Sequence, residues 1–233
     1  MEAPVPQNEW FVLDSGPGNA AYNMALDEAL LEAMPRLQRP VLRFYGWTEP
    51  AASFGYFQKW LEVERLTALR PLVRRPTAGG LVPHDADWTY SLAFPISAPW
   101  YSLTAQESYR RVHESLQSAF ARLGAPTELA PTSLKLGPGQ CFAGYECADL
   151  LWRGRKIAGA AQRRRKDGLL IQGSIQPPPL PLEKCAWQQA WREATQLSEG
   201  ARWAELTPDA QIRSRADKLS SEKYSQPAYN QKR

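Results

Sequence analysis

Residues 74–94 read RRPTAGGLVPHDADWTYSLAF. Two extended runs flank a glycine bend, and the second, WTYSLAF, is rich in β-branched and aromatic residues. The segment asks for a sheet to sit in. Gly79 and Gly80 allow the backbone to turn with positive φ or to approach a ligand closely. Arg74 and Arg75 stand just before the bend, where they can meet a carboxylate or a phosphate; His84, Asp85 and Asp87 stand just after it. By spacing alone the same residues also describe a β-turn with a surface arginine pair and a solvated acid. The pattern is neither G-x-x-x-x-G-K-[ST] nor G-x-G-x-x-G, which excludes a Walker loop and a dinucleotide-binding fingerprint.

Around this segment strands and helices follow one another irregularly. WFVLD (10–14) and VLRFYGW (41–47) read as strands. Between them SGPGNAAYN is turn chemistry before a helix in which Leu26, Ala29, Leu30, Ala33 and Met34 share one face, closed by Pro35. SFGYFQ (53–58) is a tight passage, followed by a helical stretch around 62–69. Thr104 with Glu107 three residues on is a capping-box start. The helix behind it carries Val112, Leu116, Ala119 and Phe120 on one face and stops at Gly124. Residues 150–152 and 156–162 read as a hairpin, and GLLIQGSI (168–175) as a further strand. QPPPLP (176–181) is a stiff connector. Beyond it the chain reads as helical and surface-rich, with Thr207–Pro208 as N-cap and first helical residue and a loosely ordered polar end from Ser220. Strands in runs, without βαβ alternation, predict an α+β fold: a mixed, largely antiparallel sheet with packed helices. One domain over 1–233 is expected, with its core over about 10–175 and a helical part over about 182–225.

Apolar residues make up 43% of the 233, enough for a core, and charged residues 22%, an ordinary globular surface. A disordered chain and a disulfide-stapled miniature are excluded. Lys and Arg number 28 against 24 Asp and Glu, a net charge of +4. That surplus suits an acidic protein partner or a phosphate-bearing substrate and is too weak to indicate nucleic acid. No run of about 18 apolar residues occurs, and the N-terminal MEAPVPQNEWFVLD lacks a basic start followed by an apolar stretch. No membrane is expected, and the expected setting is cytoplasmic, with Cys141, Cys147 and Cys185 reduced. With an odd cysteine count, no C-x-x-C and two histidines, His84 and His113, no metal site is expected.

Cys141 lies in LGPGQCFAGYEC, a Gly/Pro-rich loop rather than an apolar helix face. A nearby cation would lower its pKa and raise its thiolate fraction; a passive thiol fits the local pattern as well. Cys147 reads as passive, and Cys185, among the alanines and tryptophans of a helix, as packing. Lys156 starts a strand of small residues, IAGAA (157–161). Small side chains there leave room for a ligand and aim the ammonium along it. RRRK (163–166) reads as a solvated turn, or as a docking patch for an acidic protein or a phosphate.

Taken together, these segments resemble the lipoate–protein ligase/octanoyltransferase superfamily, whose catalytic domain is shared with biotin–protein ligases. NMALDEALLE (23–32) looks like the family's N-terminal helix. RFYGWTEPAASFGYFQ (43–58) resembles W-x-x-P-x-x-S-x-G-x-x-Q through Trp47, Pro50, Ser53, Gly55 and Gln58. RRPTAGGLVPHD resembles RRPTGGGxVxHD, CF followed by DLLWRGRKIAGAAQRR resembles CF…GRKIAGSAQ, and GLLIQGSI resembles LLQHGSI. The pieces occur in family order over residues 10–175. The biotin-ligase signature G-R-G-R-x-G is absent, which argues against biotin.

The resemblance implies an α+β sheet that binds an acyl chain under the glycine loop, and two chemistries. An acyltransferase takes octanoyl from acyl carrier protein through a cysteine thioester and needs no cofactor. A ligase activates lipoate or octanoate with ATP and Mg²⁺. Both deliver the acyl group to a lysine of a lipoyl carrier domain protein. Cys141 falls on the nucleophile of the cysteine-dependent branch and Lys156 on the superfamily's invariant lysine. The 58 residues after Ile175 are short for the ligases' accessory domain. These points imply the transferase, with Cys141 and Lys156 catalytic and Arg74, Arg75, Gly79, Gly80, His84, Asp87, Gly159 and Gln172 around the fatty-acyl or lipoyl substrate. In the ligase alternative Arg74, Lys156 and the N–H groups near Gly79 and Gly80 hold the adenylate phosphate. A non-catalytic acyl-binding relative is the third reading. The sequence departs from the family at Ala78, in place of the first glycine of the triplet, at Gln172, where histidine is common, and at Asp87–Trp88, where ligases carry Gly-Asn.

Overall fold

WTYSLAF forms the middle of the main sheet. In the computed structural model, which describes residues 8–134 and 142–232, it is β6 (Trp88–Phe94). Its side chains alternate between two covered faces. Trp88, Tyr90, Leu92 and Phe94 enter one apolar core, whereas Ser91 and Ala93 turn to the other side. The sheet has eight strands, in spatial order β11 (Arg202–Glu205), β1 (Glu9–Gly18), β2 (Val41–Trp47), β6, β10 (Gly168–Ile175), β9 (Arg155–Arg165), β8 (Leu150–Trp152) and β7 (Glu128–Leu129). β11, β1 and β2 run parallel, and the other neighbours pair antiparallel. A smaller sheet places β3 (Ala51–Phe54) between β4 (Leu72–Arg74) and β5 (Val82–His84). The α+β class and the mixed sheet are as predicted.

Helices α3 (Ala105–Arg122) and α4 (Lys184–Glu199) cover the first face. Trp187 and Trp191 of α4 pack edge-on against Phe44, and Trp191 against Tyr90. α1 (Ala20–Leu37) and α5 (Ala210–Leu219) cover the second, where Met24, Leu26 and Leu30 meet Ile212 and Ala216. Each large apolar side chain taken fully out of water contributes about 2–3 kcal/mol. The Thr104–Glu107 capping box is present in both directions, and Gly124, at φ +71°, ends the helix behind it.

Several boundaries differ from expectation. Pro35 lies inside α1, in its last turn; Gln38, in the left-handed region, returns its N–H to Met34 O, so the helix survives two residues further. Ala51–Phe54 is a strand where the sequence reads as a passage, because alanines packed on both sides carry no alternation. The helix near residue 62 is short, α2 (Trp60–Glu64). The part beyond Ile175 is not wholly helical, since β11 extends the main sheet alongside β1. Asp209, not Thr207, caps α5, its carboxylate accepting from Ile212 N–H at 2.9 Å. The polar end is well tied down: Ser220–Tyr224 forms a π-helical turn, α6 (Pro227–Asn230) follows, and Tyr224 and Asn230 are buried.

Candidate active site

On the α1 side the sheet carries polar groups, and they meet a carboxylate. Arg43 Nη1 of β2 donates to Asp27 Oδ1 at 2.7 Å, and Ser91 Oγ of β6 donates to the same oxygen at 2.6 Å. Gln172 Nε2 of β10 donates to Asp27 Oδ2 at 2.7 Å, and Tyr45 OH adds a bond at 3.3 Å. The ion pair is 1% and 0% exposed. A charge so deep must be satisfied from within, and these four donors do that. Asn23 and Ser15 take up the rest of the Arg43 guanidinium. Burial, with the Asp27 charge beside it, pushes the Tyr45 phenol well up, so it remains a donor. Gln172 also accepts from Thr77 Oγ1 at 2.8 Å. An amide donates to a carboxylate and accepts from a hydroxyl at once, and Gln172 thereby ties α1, β10 and the glycine loop together.

The glycine loop is shaped by one arginine. Arg75 Nη2 donates to Ala78 O and Gly80 O at 2.8 and 2.7 Å, and Nη1 donates to Ser53 Oγ at 3.1 Å. Gly79 turns at φ +90°, and a Cβ there would lie 2.9 Å from Arg75 Nη2. From Ser53 the chain runs on to His84 Nε2 at 2.7 Å, and from His84 Nδ1 to Asp87 Oδ2 at 2.8 Å. Arginine only donates and a carboxylate only accepts. His84 Nδ1 therefore donates to Asp87, and Ser53 Oγ accepts from Arg75 while bonding Nε2. Thr89 and Ser174 hydroxyls donate to the same Asp87 oxygen, and Trp47 stacks on His84 with ring centroids 3.8 Å apart.

Lys156 is re-aimed by an irregularity. Leu151 pairs with Lys156 but Leu150 pairs with Ala158, which leaves Ile157 as an extra residue in β9. In a regular strand residues three apart face opposite ways; across this bulge Lys156 and Gly159 come together. A Cβ on Gly159 would stand 2.7 Å from both Lys156 Cε and Nζ. The ammonium lies 2.6 Å from Asp149 Oδ2 and 5.4 Å from the centre of the Phe142 ring.

Between these clusters is a small cavity that opens to solvent. Met24, Val82, Ala160, Ala161 and Gly173 give it an apolar lining, and Ser53, Arg75, His84 and Gln172 a polar one. Among the predicted residues Arg75, Gly79, His84, Gly159 and Gln172 line it. Asp87 stands one layer behind His84. Gly80 contributes its carbonyl to Arg75 and is not part of the wall. Arg74 points elsewhere: its guanidinium donates to carbonyls of Tyr56, Gln58, Tyr229 and Asn230, and it is 0% exposed. It fastens the C-terminal segment to the base of the loop. Cys141 lies outside the described residues. Cys185 is exposed rather than packed.

The basic run is not a solvated turn. Residues 163–165 belong to β9, and their guanidiniums reach Pro76 O, Leu103 O and Glu28. Sequence reasoning misses Asp27, Arg43 and Asp149. For Asp27 a signal exists: Asn23 and Asp27 stand one turn apart within a helix face of Met, Ala and Leu. Among the described residues no group of three or more His, Cys, Asp or Glu side chains is arranged to hold a metal ion, and no helix is long and apolar enough to cross a membrane.

The site is thus a glycine loop over a part-apolar cavity on a mixed sheet, with the buried Lys156 behind Gly159 of its wall. The model of the lipoyl protein ligase A/B catalytic domain matches residues 19–176, and the chain belongs to this family. It is 40% identical over 174 residues to an octanoyltransferase LipM of Carboxydothermus hydrogenoformans, covering 71% of this chain and 64% of that protein. To the octanoyltransferase LipM of Bacillus subtilis it is 38% identical over 183 residues, covering 71% and 64%. The chain thus spans slightly less than two thirds of the length of these relatives. Among solved structures, lipoate-protein ligase A bound with ATP superposes with a TM-score of 0.79 at 21% identity, over 96% of this chain and 98% of that one. The bipartite lipoate protein ligase of Thermoplasma acidophilum gives 0.76 at 20% identity, over 97% of each. These structures share the fold.

Proposed function

We propose that this protein is an acyltransferase that takes an octanoyl or lipoyl group from acyl carrier protein onto Cys141 and passes it to a lysine of a lipoyl carrier domain protein. The observation that carries this reading is the 40% identity to a protein named an octanoyltransferase. The part-apolar cavity beside Lys156 supports it, and the neighbour described together with its E2 lipoyl domain supports the class of acceptor.

In the first step the Cys141 thiolate attacks the thioester carbonyl, a new C–S bond forms, and the carrier thiolate leaves. In the second the neutral acceptor amine attacks, the Cys141 thiolate leaves as the amide forms, and the proton lost from the amine passes to that thiolate or to water. Each step passes through an oxyanion, and the Lys156 ammonium is the cation that stabilises it. Arg75, Gly79, His84, Gly159 and Gln172 shape the cavity around the acyl chain; Asp87 and Gly80 act through His84 and Arg75. The reaction consumes no ATP and uses no metal. The setting we propose is the cytoplasm, where a thiol nucleophile stays reduced.

The test is transfer of octanoyl from acyl carrier protein to a lipoyl domain without nucleotide, by wild type, Lys156→Ala and Lys156→Arg. Wild type should transfer. Both variants should lose activity by about two to three orders of magnitude while staying folded. Modification only with free lipoate, ATP and Mg²⁺ would instead assign the ligase chemistry, and wild-type turnover by Lys156→Ala would remove the lysine from either.

A further inference from the structure

Lys156 is held by more than its own strand. Its ion pair with Asp149 is deep, the side chains 6% and 9% exposed. Asp149 is fixed in turn. Its Oδ2 accepts the N–H of Glu146 at 2.7 Å, and its backbone N–H and C=O bond Glu146 O and Ala130 N at 3.0 and 2.8 Å. Ala148, immediately before it, has φ +68°, a conformation that alanine holds only where its surroundings impose it. Here they do. Ala148 N–H donates to Ala130 O at 2.8 Å, and Ala148 O accepts from His113 Nδ1 at 2.6 Å.

His113 reaches this carbonyl from α3 and is 0% exposed. Burial holds its pKa below the ordinary histidine value, and the carbonyl acceptor fixes the proton of the neutral ring on Nδ1. Its Nε2 meets no hydrogen-bond partner among the described residues. A buried unpaired ring nitrogen is unfavourable, so the ring is kept at a cost, and the one bond it makes is to the residue that sets Asp149.

We propose that Asp149 is the positioning residue for Lys156, and that His113, acting through the Ala148 carbonyl, sets where Asp149 stands. The inference rests on the role of Lys156 given above. Among the described residues the other titratable groups facing the pair are Tyr109 of α3 and Tyr90 of β6, both pushed up chiefly by burial and so uncharged near neutral pH. The Glu146 carboxylate turns away to Ser133 Oγ at 2.7 Å. The Asp149 carboxylate 2.6 Å away thus fixes Lys156 in place as the cation for a developing oxyanion.

The experiment compares wild type with Asp149→Asn, Asp149→Glu, His113→Asn and His113→Leu. An asparagine amide can reach the place of the histidine Nδ1, so His113→Asn is the conservative rescue. Two readouts are taken: kcat and KM for octanoyl transfer across pH, and titration of the Lys156 ammonium by ¹⁵N NMR in the unliganded, lysine-labelled chain. For Asp149→Asn we expect kcat to fall about tenfold or more with KM within about twofold, and the Lys156 titration to move down by about one pH unit or more. Asp149→Glu keeps the titration near wild type but loses kcat, because the ammonium is misplaced. His113→Asn stays within about threefold of wild type, while His113→Leu follows Asp149→Asn. If His113→Leu does not fold, the two Asp149 variants carry the test. Wild-type kcat and an unshifted Lys156 titration in Asp149→Asn would overturn the proposal while leaving the transferase reading intact. A lowered titration in a chain that transfers no acyl group would keep the positioning and remove the transferase.

Discussion

Lys156 gathers three local features: a bulge that turns it, a carboxylate that pairs with it and a glycine that gives it room. The last is open to a direct test. In Gly159→Ala the new Cβ would stand 2.7 Å from the ammonium, and the end of a lysine side chain moves more cheaply than backbone. The variant should keep its Tm within a few degrees and lose octanoyl transfer about tenfold or more, since misplacing a catalytic group slightly is costly. Thermal unfolding and steady-state kinetics on one preparation separate the two effects; parallel loss of both would mean that Gly159 only serves packing.

Elements carry the site as two units, the small sheet with its glycine loop and the polar stripe beneath α1. Gly55 joins the first unit, because a Cβ there would stand 1.9 Å from Gly79 O, a backbone atom. Gly55→Ala should therefore force the loop off β3, lowering stability by about 1–3 kcal/mol and raising the KM for the acyl donor. Urea unfolding and KM check this, and an unchanged KM would show that the loop does not touch the acyl chain. Much at this scale is legible in the sequence. The aromatic and β-branched content of WTYSLAF gives β6, GLLIQGSI gives β10, and the Thr104–Glu107 spacing gives the start of α3. β3 is not legible, because a strand of small residues buried on both faces has no periodic signal. Nor is the turn of Arg74 away from the cavity, which depends in part on carbonyls 155 and 156 residues away. Asp149 escapes because neither its bulged partner strand nor the buried histidine behind it leaves a mark in spacing.

Across the whole molecule the C-terminal segment closes on the N-terminal helix. Glu28 of α1 bonds Arg165, Lys223 and Tyr224. Burial alone would raise its pKa, but the Lys223 ammonium, the Tyr224 hydroxyl and Arg165 together outweigh this and hold the carboxyl below its ordinary value. Burial also lowers Lys223, yet a lysine stays protonated throughout the acid range, so Glu28 governs the pH dependence there. A carboxyl depressed on folding contributes stability above its unfolded pKa and loses it as pH falls through the folded value. Glu28→Gln should thus be less stable than wild type by about 1–3 kcal/mol at neutral pH, with the gap narrowing below the ordinary carboxyl pKa of 4.5. Denaturant unfolding at pH 7 and pH 3.5 measures the gap at both ends; an equal gap at the two would mean that shape, not charge, is what Gln cannot replace.

The acyl-enzyme itself gives the most direct test of the proposed activity. After mixing with octanoyl acyl carrier protein and no ATP, intact mass should show one octanoyl group on the chain. Peptide mapping should place it on Cys141, neutral hydroxylamine should remove it, and a lipoyl domain should receive it. Cys141→Ser should form no such adduct and should lose transfer, because a hydroxyl is far less ionised than a thiol near neutral pH. Octanoyl transfer by Cys141→Ser at the wild-type rate, or an adduct on Cys147 instead, would contradict the account.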